Sequence, residues 1–421
     1  MELIMNHIGK ISSADIKLDG ITVICGENNS GKSTVGKVLF SYFNSMCDFE
    51  SKINRQRDTE IMTGIWKRVV SSESLSSYKK ISEELLGYIE SLDECTPDNI
   101  YQFLEQFPQI KQKRDVANDI YNIINTSNES LFNEYIFRYF MDIFNWQLKT
   151  ENSSAKTAFV KTIFRNGTNS VRFYQKKCVL KQEIPIMHRA YYIDNPFVLD
   201  YLNNHLTLRF LGELDRNVID TIQEAQRQQS ANKMVDIFDS VANKEKLDTI
   251  REILKRAYSG NTIIKNGVYF YHEGSRDIDF RNISTGLKAF ALIERLLESG
   301  KLKPKDVLIL DEPEIHLHPE WQLIYAELIV LLQKVFDLTI LIVTHSFHFL
   351  ESLQFFIDKH GISERGNYYI PRRTTEGFEI SFSEDNFHEM MKSLSNATFE
   401  LNDMKFEYEL EQDNGNKKDS E

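Results

Sequence analysis

The sequence predicts an α/β fold, with a mixed sheet, an antiparallel β-subdomain and inserted helical lobes. Three observations carry this. First, Ile21-Thr22-Val23-Ile24-Cys25 is a β-branched run that reads as a buried strand. After a glycine-rich turn, Val35, Val38, Leu39 and Tyr42 recur at helical spacing over 33–43. Second, 307–310 and 338–344 are unbroken apolar runs, as expected of parallel strands covered on both faces. Third, Asn166-Gly167 separates two β-rich runs, 159–164 and 171–174, a strong hairpin signal.

The turn after the first buried strand is Gly26-Glu27-Asn28-Asn29-Ser30-Gly31-Lys32-Ser33, a GxxxxGKS pattern. Backbone N–H groups of such a loop, opening onto a helix N-terminus, complement the dense negative charge of a triphosphate. Gly26 and Gly31 allow the tight turn, and Asn28 and Asn29 belong to the phosphate grip. Lys32 is placed to reach the β- and γ-phosphates, and Ser33 to put its hydroxyl on Mg²⁺.

The strand 307–310 ends in Asp311-Glu312. Acids beside an apolar run are costly unless they face a cleft or a cation. Asp311 is expected to hold Mg²⁺ through water, and Glu312 to polarise the attacking water as general base. Pro319 suits the first turn of a helix running to 336. The strand 338–344 then delivers His345 to the same sheet edge. His345 is placed to sense the γ-phosphate or hold the attacking water; a capping or merely buried role stays open. His316 and His318 form HxH without a matching ligand cluster, so a structural loop role is expected rather than zinc.

Upstream lies Asn282-Ile283-Ser284-Thr285-Gly286-Leu287-Lys288, followed by an amphipathic helix with Phe290, Leu292, Ile293, Leu296 and Leu297. Alone, Ser284 and Gly286 read as an ordinary N-cap. Beside a phosphate loop they make a second anion-binding device, useful if each subunit of a dimer closes over the other's triphosphate.

Taken in order, GxxxxGKST, SxG plus helix, hhhhDEPExHLHP and hhhTHS resemble the ABC-class ATPase heads of the SMC, RecF and OLD-type families. DEPExHLHP looks most like the OLD and RecF-like branch of AAA-family ATPases. The likeness covers roughly 1–44 and 262–380. It implies an ABC-type head binding ATP and Mg²⁺ and hydrolysing ATP. It assigns Lys32, Ser33 and Thr34 to phosphate and Mg²⁺, Asp311 to Mg²⁺, Glu312 to the base and His345 to the switch position. Ser284 and Gly286 would meet the partner's γ-phosphate. The signature departs from the pattern, reading Ile-Ser-Thr-Gly-Leu where transporters have LSGGQ. Gln182 is a weak candidate for the family's glutamine loop.

At 421 residues, with 41% hydrophobic and 27% charged residues, the chain suits two or three globular domains. No apolar run approaches the ~20 residues that span a bilayer. No signal peptide is expected, and the four cysteines form no CxxC pair, so a cytoplasmic location without membrane partners is expected. A net charge of −12 disfavours indiscriminate nucleic-acid binding. Lys176, Lys177, Lys181 and Arg189 form a modest basic cluster that reads as a solvated strand edge or a DNA track.

The predicted organisation is an N-terminal head lobe over 1–44 and a helical insertion over 45–155. The chain returns to the head over 156–202, and a second helical insertion covers 203–261. The C-terminal head lobe is 262–408, and an acidic tail, 409–421, is predicted disordered. Thr96-Pro97-Asp98 reads as a helix start. Leu247, Ile250, Leu254 and Ala257 mark one helical face, and Met234, Ile237, Phe238 and Val241 another. With no sustained heptad, short helical arms are expected rather than a coiled coil. About 75 residues follow His345, too few for an OLD-type Toprim domain, so no built-in nuclease is expected.

These features point to an ATPase that forms a homodimer or higher homo-oligomer through its heads and senses or gates for a separately encoded effector. The arrangement resembles the ATPase components of Septu- and PARIS-type anti-phage systems, which implies a nuclease or toxin partner of the HNH or Toprim class. The alternative is a RecF/SMC-like repair ATPase that binds DNA directly, so nucleic acid stays open as a partner.

Overall fold

A computed structural model of the chain describes residues 1–67, 75–149, 155, 157–203, 210–230, 248–265 and 267–418. It contains two units, Met1–Asn44 with Tyr139–Glu421, and Ser45–Arg138. The strands are β1 (Glu2–Ile8), β2 (Ile11–Lys17), β3 (Ile21–Cys25), β4 (Ala158–Phe164), β5 (Gly167–Phe173), β6 (Cys178–Gln182), β7 (Ala190–Ile193) and β8 (Asn261–Lys265). They continue with β9 (Val268–Glu273), β10 (Arg276–Asp279), β11 (Val307–Asp311), β12 (Thr339–Thr344), β13 (Gly366–Tyr369), β14 (Arg372–Thr374) and β15 (Gly377–Ile380). The helices are α1 (Lys32–Met46), α2 (Phe49–Trp66), α3 (Leu75–Glu90), α4 (Pro97–Glu105), α5 (Lys113–Asn125), α6 (Asn128–Ile143) and α7 (Glu213–Ser230). Then follow α8 (248–257), α9 (Thr285–Glu298), α10 (Pro319–Phe336), α11 (Phe347–Lys359) and α12 (Asn386–Lys418).

The larger unit is built on a parallel five-stranded sheet, ordered β13-β3-β12-β11-β7. Every residue of β3, β7, β11 and β12 is buried, which explains their unbroken apolar sequences. Leu308, Leu310, Ile340 and Ile342 share the main core with α9, α10 and α11. On the opposite face, Ile309 and Tyr192 meet α1 at Gly36, where an added Cβ would lie 2.9 Å from both side chains. Gly36 thus lets α1 settle directly on the sheet.

A second, mixed sheet runs β14-β15-β2-β1-β4-β5-β6, antiparallel except where β15 joins β2. The Asn166-Gly167 hairpin sits within it, pairing β4 with β5. A small antiparallel sheet, β10-β9-β8, leads into α9. The α/β class with a mixed sheet, antiparallel β-structure and helices is as the sequence predicts.

Three details differ from the sequence reading. The helix α9 is buried from Gly286 to Leu297, not on one face alone, because it packs against both α7 and the turn Pro196–Tyr201. The described parts of 203–261 are not projecting arms: Val218, Ile219 and Ile222 of α7 and Ile250 and Leu254 of α8 enter the main core. The stripe Met234, Ile237, Phe238 and Val241, with Leu247, lies outside the described residues. At the C-terminus, α12 runs on to Lys418 through much of the segment whose composition predicts disorder. Residues 419–421 lie outside the described residues.

The smaller unit is helical. Ile61, Ile65, Ile81, Leu85, Ile100, Leu104, Val116 and Ile120 of α2–α5 form its core. Thr96 caps α4, accepting from Asn99 N at 3.3 Å with Pro97 in the first turn. The division between units falls inside α6, after Arg138. From there Tyr139 stacks near Phe40, and Phe140 packs on Phe173 with ring centroids 4.7 Å apart.

Two glycine substitutions test this packing with opposite signs. Gly36→Val is expected to cost about 1–3 kcal/mol, because a methyl group cannot enter a filled contact. Gly64→Ala in α2, where no atom lies within 4 Å of the added Cβ, is expected to gain about 0.5–1 kcal/mol. Thermal unfolding of both variants measures the difference.

Candidate nucleotide site

Strand order creates the site. Because β12 lies between β3 and β11, the C-terminal ends of all three stand side by side, the edge where open parallel sheets bind ligands. β3 delivers the phosphate loop, β11 delivers Asp311 and Glu312, and β12 delivers His345.

The loop has left-handed backbone at Asn29 (φ 65) and Gly31 (φ 89). At Gly31 a Cβ would also lie 2.6 Å from Ile11 Cδ1, so the turn needs glycine twice over. Lys32 is buried at the start of α1, and its Nζ donates to Gly26 O at 3.0 Å and Glu27 O at 2.6 Å. Burial lowers its pKa, against the opposing pull of nearby acids, including Glu312 and Asp311. Thr34 N closes the loop onto Gly31 O at 3.0 Å.

Ser33 Oγ donates to Asp311 Oδ1 at 3.1 Å, joining residues 278 positions apart. The other oxygen, Oδ2, accepts from the Tyr192 hydroxyl. Burial first, then the Asp311 charge, push the Tyr192 phenol well above its usual range, so it stays a donor. A serine hydroxyl and a carboxylate this close, beside a glycine-rich loop, are hard oxygen ligands that would suit Mg²⁺.

Glu312 has φ 54, a left-handed conformation that is costly for a residue with a side chain. Its N–H is held by Val343 O at 2.8 Å, and its Oε1 lies 2.9 Å from His345 Nε2. Burial, then the Lys32 charge, lower the His345 pKa, partly opposed by Glu312. The imidazole is therefore biased toward its neutral form.

Glu314 is a site residue that the sequence reading did not single out. It is buried, and its Oε1 accepts from Thr344 Oγ1 at 2.5 Å and from His345 N at 3.2 Å. It ties the segment after β11 to the end of β12 and fixes the backbone that carries His345. Tyr192 was likewise missed. It sits in the apolar run of β7, and only the sheet topology shows what its hydroxyl meets.

Asn28, Asn29, Gly31, Lys32, Ser33, Thr34, Glu312 and His345 line one cleft of about 360 Å³. Gly26 and Asp311 are not among the lining residues, though each contacts one of them: Gly26 O accepts from Lys32 and Asp311 from Ser33. Ser284 and Gly286 are not among the lining residues. Ser284 is exposed and caps α9, accepting from Leu287 N at 3.4 Å. Gly286 is buried, and a Cβ there would lie 2.9 Å from the Trp321 ring. Beneath them Lys288 pairs with Asp200 at 2.7 Å, anchoring the turn. His318 caps α10, accepting from Glu320 N, and among the described residues no His, Cys, Asp and Glu group could hold a metal on its own.

The basic cluster divides. Lys176, Lys177 and Lys181 lie exposed at the β6 edge of the large sheet, whereas Arg189 leads into β7 of the other sheet. Gln182 is also exposed on β6 and donates to Ile184 O, and it does not line the cleft.

Replacing Glu314 tests the bracing. Glu314→Ala leaves two donors without their buried acceptor, an expected loss of about 1–3 kcal/mol in thermal unfolding. Burial raises the Glu314 pKa in the folded chain. Its stabilising share is therefore present at low pH and lost as pH climbs through the raised value. Glu314→Gln does not titrate, so its stability relative to wild type should grow as pH rises above the usual glutamate range.

Residues 189–351 match the family model "AAA domain, putative AbiEii toxin, Type IV TA system". No curated protein matches the sequence. Among solved structures the chain is similar to the SMC head domain from Thermotoga maritima, at 13% identity and TM-score 0.38, covering 91% of this chain and 98% of that one. It is also similar to an SMC head bound to the C-terminal winged-helix domain of ScpA, at 12% identity and TM-score 0.42, covering 92% and 98%. A third is an SMC head with an extended coiled coil bound to the C-terminal domain of ScpA derived from Pyrococcus furiosus, at 11% identity and TM-score 0.41, covering 94% and 98%. No helix among the described residues is long and apolar enough to cross a membrane.

Proposed function

We propose that the chain binds ATP with Mg²⁺ and hydrolyses it to ADP and phosphate. The observation that carries this is that Ser33, which donates to the buried Asp311, lines one cleft with the Glu312–His345 pair. Lys32, whose ammonium donates to loop carbonyls, turns that ammonium to the β- and γ-phosphates. Ser33 and Asp311 hold Mg²⁺, which neutralises phosphate charge when bound. Glu312 accepts a proton from the attacking water, and His345 orients the Glu312 carboxyl through the contact at its Oε1. Asn28, Asn29 and Thr34 complete the grip around the phosphates.

The signature turn acts on a second copy. Ser284 is exposed at the start of a long helix and lies off its own chain's cleft, which suits a role over a partner's γ-phosphate. In this reading two heads close on ATP and reopen on hydrolysis, and the closed state must bind ATP better than the open one. The cycle serves as a sensor or regulatory scaffold for a separately encoded nuclease or toxin in anti-phage defence, within the cytoplasm. The toxin–antitoxin wording of the matched family supports an effector pairing. A second reading, direct DNA binding as in repair ATPases, draws on the exposed lysines 176, 177 and 181. It requires binding that weakens steeply with salt.

Two variants separate the roles. Lys32→Ala is expected to abolish ATP binding. Glu312→Gln is expected to keep binding, lower turnover by about 100-fold or more, and accumulate a larger species on adding ATP–Mg²⁺. Nucleotide binding, phosphate release and light scattering read the three effects. Normal hydrolysis by Glu312→Gln would remove Glu312 from the base role.

A further inference from the structure

The far wall of the cleft has no assigned role. It comprises the β1–β2 turn at Gly9 and Lys10, and the segment after α6 with Phe144, Asn145 and Gln147. We infer that this wall is the nucleobase site, with Phe144 as stacking surface and the Asn145 and Gln147 amides reading the base edge. The inference rests on the nucleotide reading above.

Polarity along the cleft sets the direction. Glu312 and His345 mark the end where the γ-phosphate must lie, and Lys32 to Thr34 mark the middle. A nucleotide anchored there sends its nucleoside away from Glu312, toward the remaining wall. That wall adds a half-buried phenyl ring, which the phosphate end of the cleft lacks, and two exposed amides beside the exposed Lys10. An aromatic face stacks on any base, and an amide supplies both a donor and an acceptor to a base edge.

The wall is held rigidly. After α6 the backbone turns left-handed at two successive residues, Asn145 (φ 48) and Trp146 (φ 63). Trp146 N returns to Met141 O at 2.8 Å, a helix-closing bond, and Gln147 N reaches Phe144 O at 2.9 Å. Gly9 N then donates to Leu148 O at 2.9 Å, and Ile8 bridges Lys149, pinning the segment to the β1–β2 turn. That turn in turn abuts the phosphate helix, since a Cβ at Gly9 would lie 3.1 Å from Thr34 Cγ2. Strained non-glycine backbone, retained in this way, is typical of ligand clamps.

The test compares ATP, GTP and inorganic tripolyphosphate, each with Mg²⁺, on the full chain by calorimetry. Wild type is expected to bind ATP more tightly than tripolyphosphate. Phe144→Ala should weaken ATP about tenfold or more and leave tripolyphosphate unchanged, which also reports an intact fold. At the exposed positions, Asn145→Ala and Gln147→Ala should shift the ATP-to-GTP affinity ratio by about threefold or more. Equal losses for ATP and tripolyphosphate in Phe144→Ala, or a wild type that binds both equally, would overturn the stacking assignment. An unchanged ATP-to-GTP ratio would overturn the amide assignment. A wild type that binds none of the three would refute the nucleotide reading itself, and the base site with it.

Discussion

The contact between Ser33 and Asp311 depends on one topological constraint, the placement of β12 between β3 and β11. Parallel strands that are not neighbours in sequence meet in register, so residues 278 positions apart meet at one sheet edge. An order that placed β3 several strands from β11 would separate the phosphate loop from the carboxylates. The buried apolar runs have a functional consequence here, because they leave only the strand ends for chemistry.

Around that edge the structure holds polar groups where burial makes them costly, and each is braced. Tyr192 braces Asp311, Glu314 braces the Thr344 hydroxyl and the His345 backbone, and Asp200 braces Lys288 beneath the signature turn. A buried group that loses its partner costs more than the bond itself contributed. Such braces therefore add geometric definition more than net stability. The left-handed Glu312 fits the same pattern: its N–H extends the β12 ladder while its side chain turns to His345.

Much of this was legible in the chain because the information was local. The phosphate loop, the Asp311-Glu312 strand end and the strand ahead of His345 are contiguous patterns with one physical reading each. The Asn166-Gly167 hairpin and the Thr96 cap are equally local. Tyr192 and Glu314 were not legible, because each looks like its neighbours until distant segments meet. Tyr192 lies within an apolar run, and its partner is 119 positions away. The wall at Phe144 has no periodic or motif signal at all. The described helices α7 and α8 read as arms for a related reason: periodicity shows that a helix has an apolar face, not what that face meets.

The account turns on whether Ser33 and Asp311 together hold the metal that accompanies a nucleotide. The direct measurement is ATP affinity with and without Mg²⁺, by calorimetry, in wild type and Asp311→Asn. The account predicts that Mg²⁺ strengthens ATP binding to wild type and that Asp311→Asn loses most of that gain while still binding metal-free ATP. An equal Mg²⁺ effect in both proteins would contradict it, and would leave the Ser33–Asp311 contact as a structural hydrogen bond.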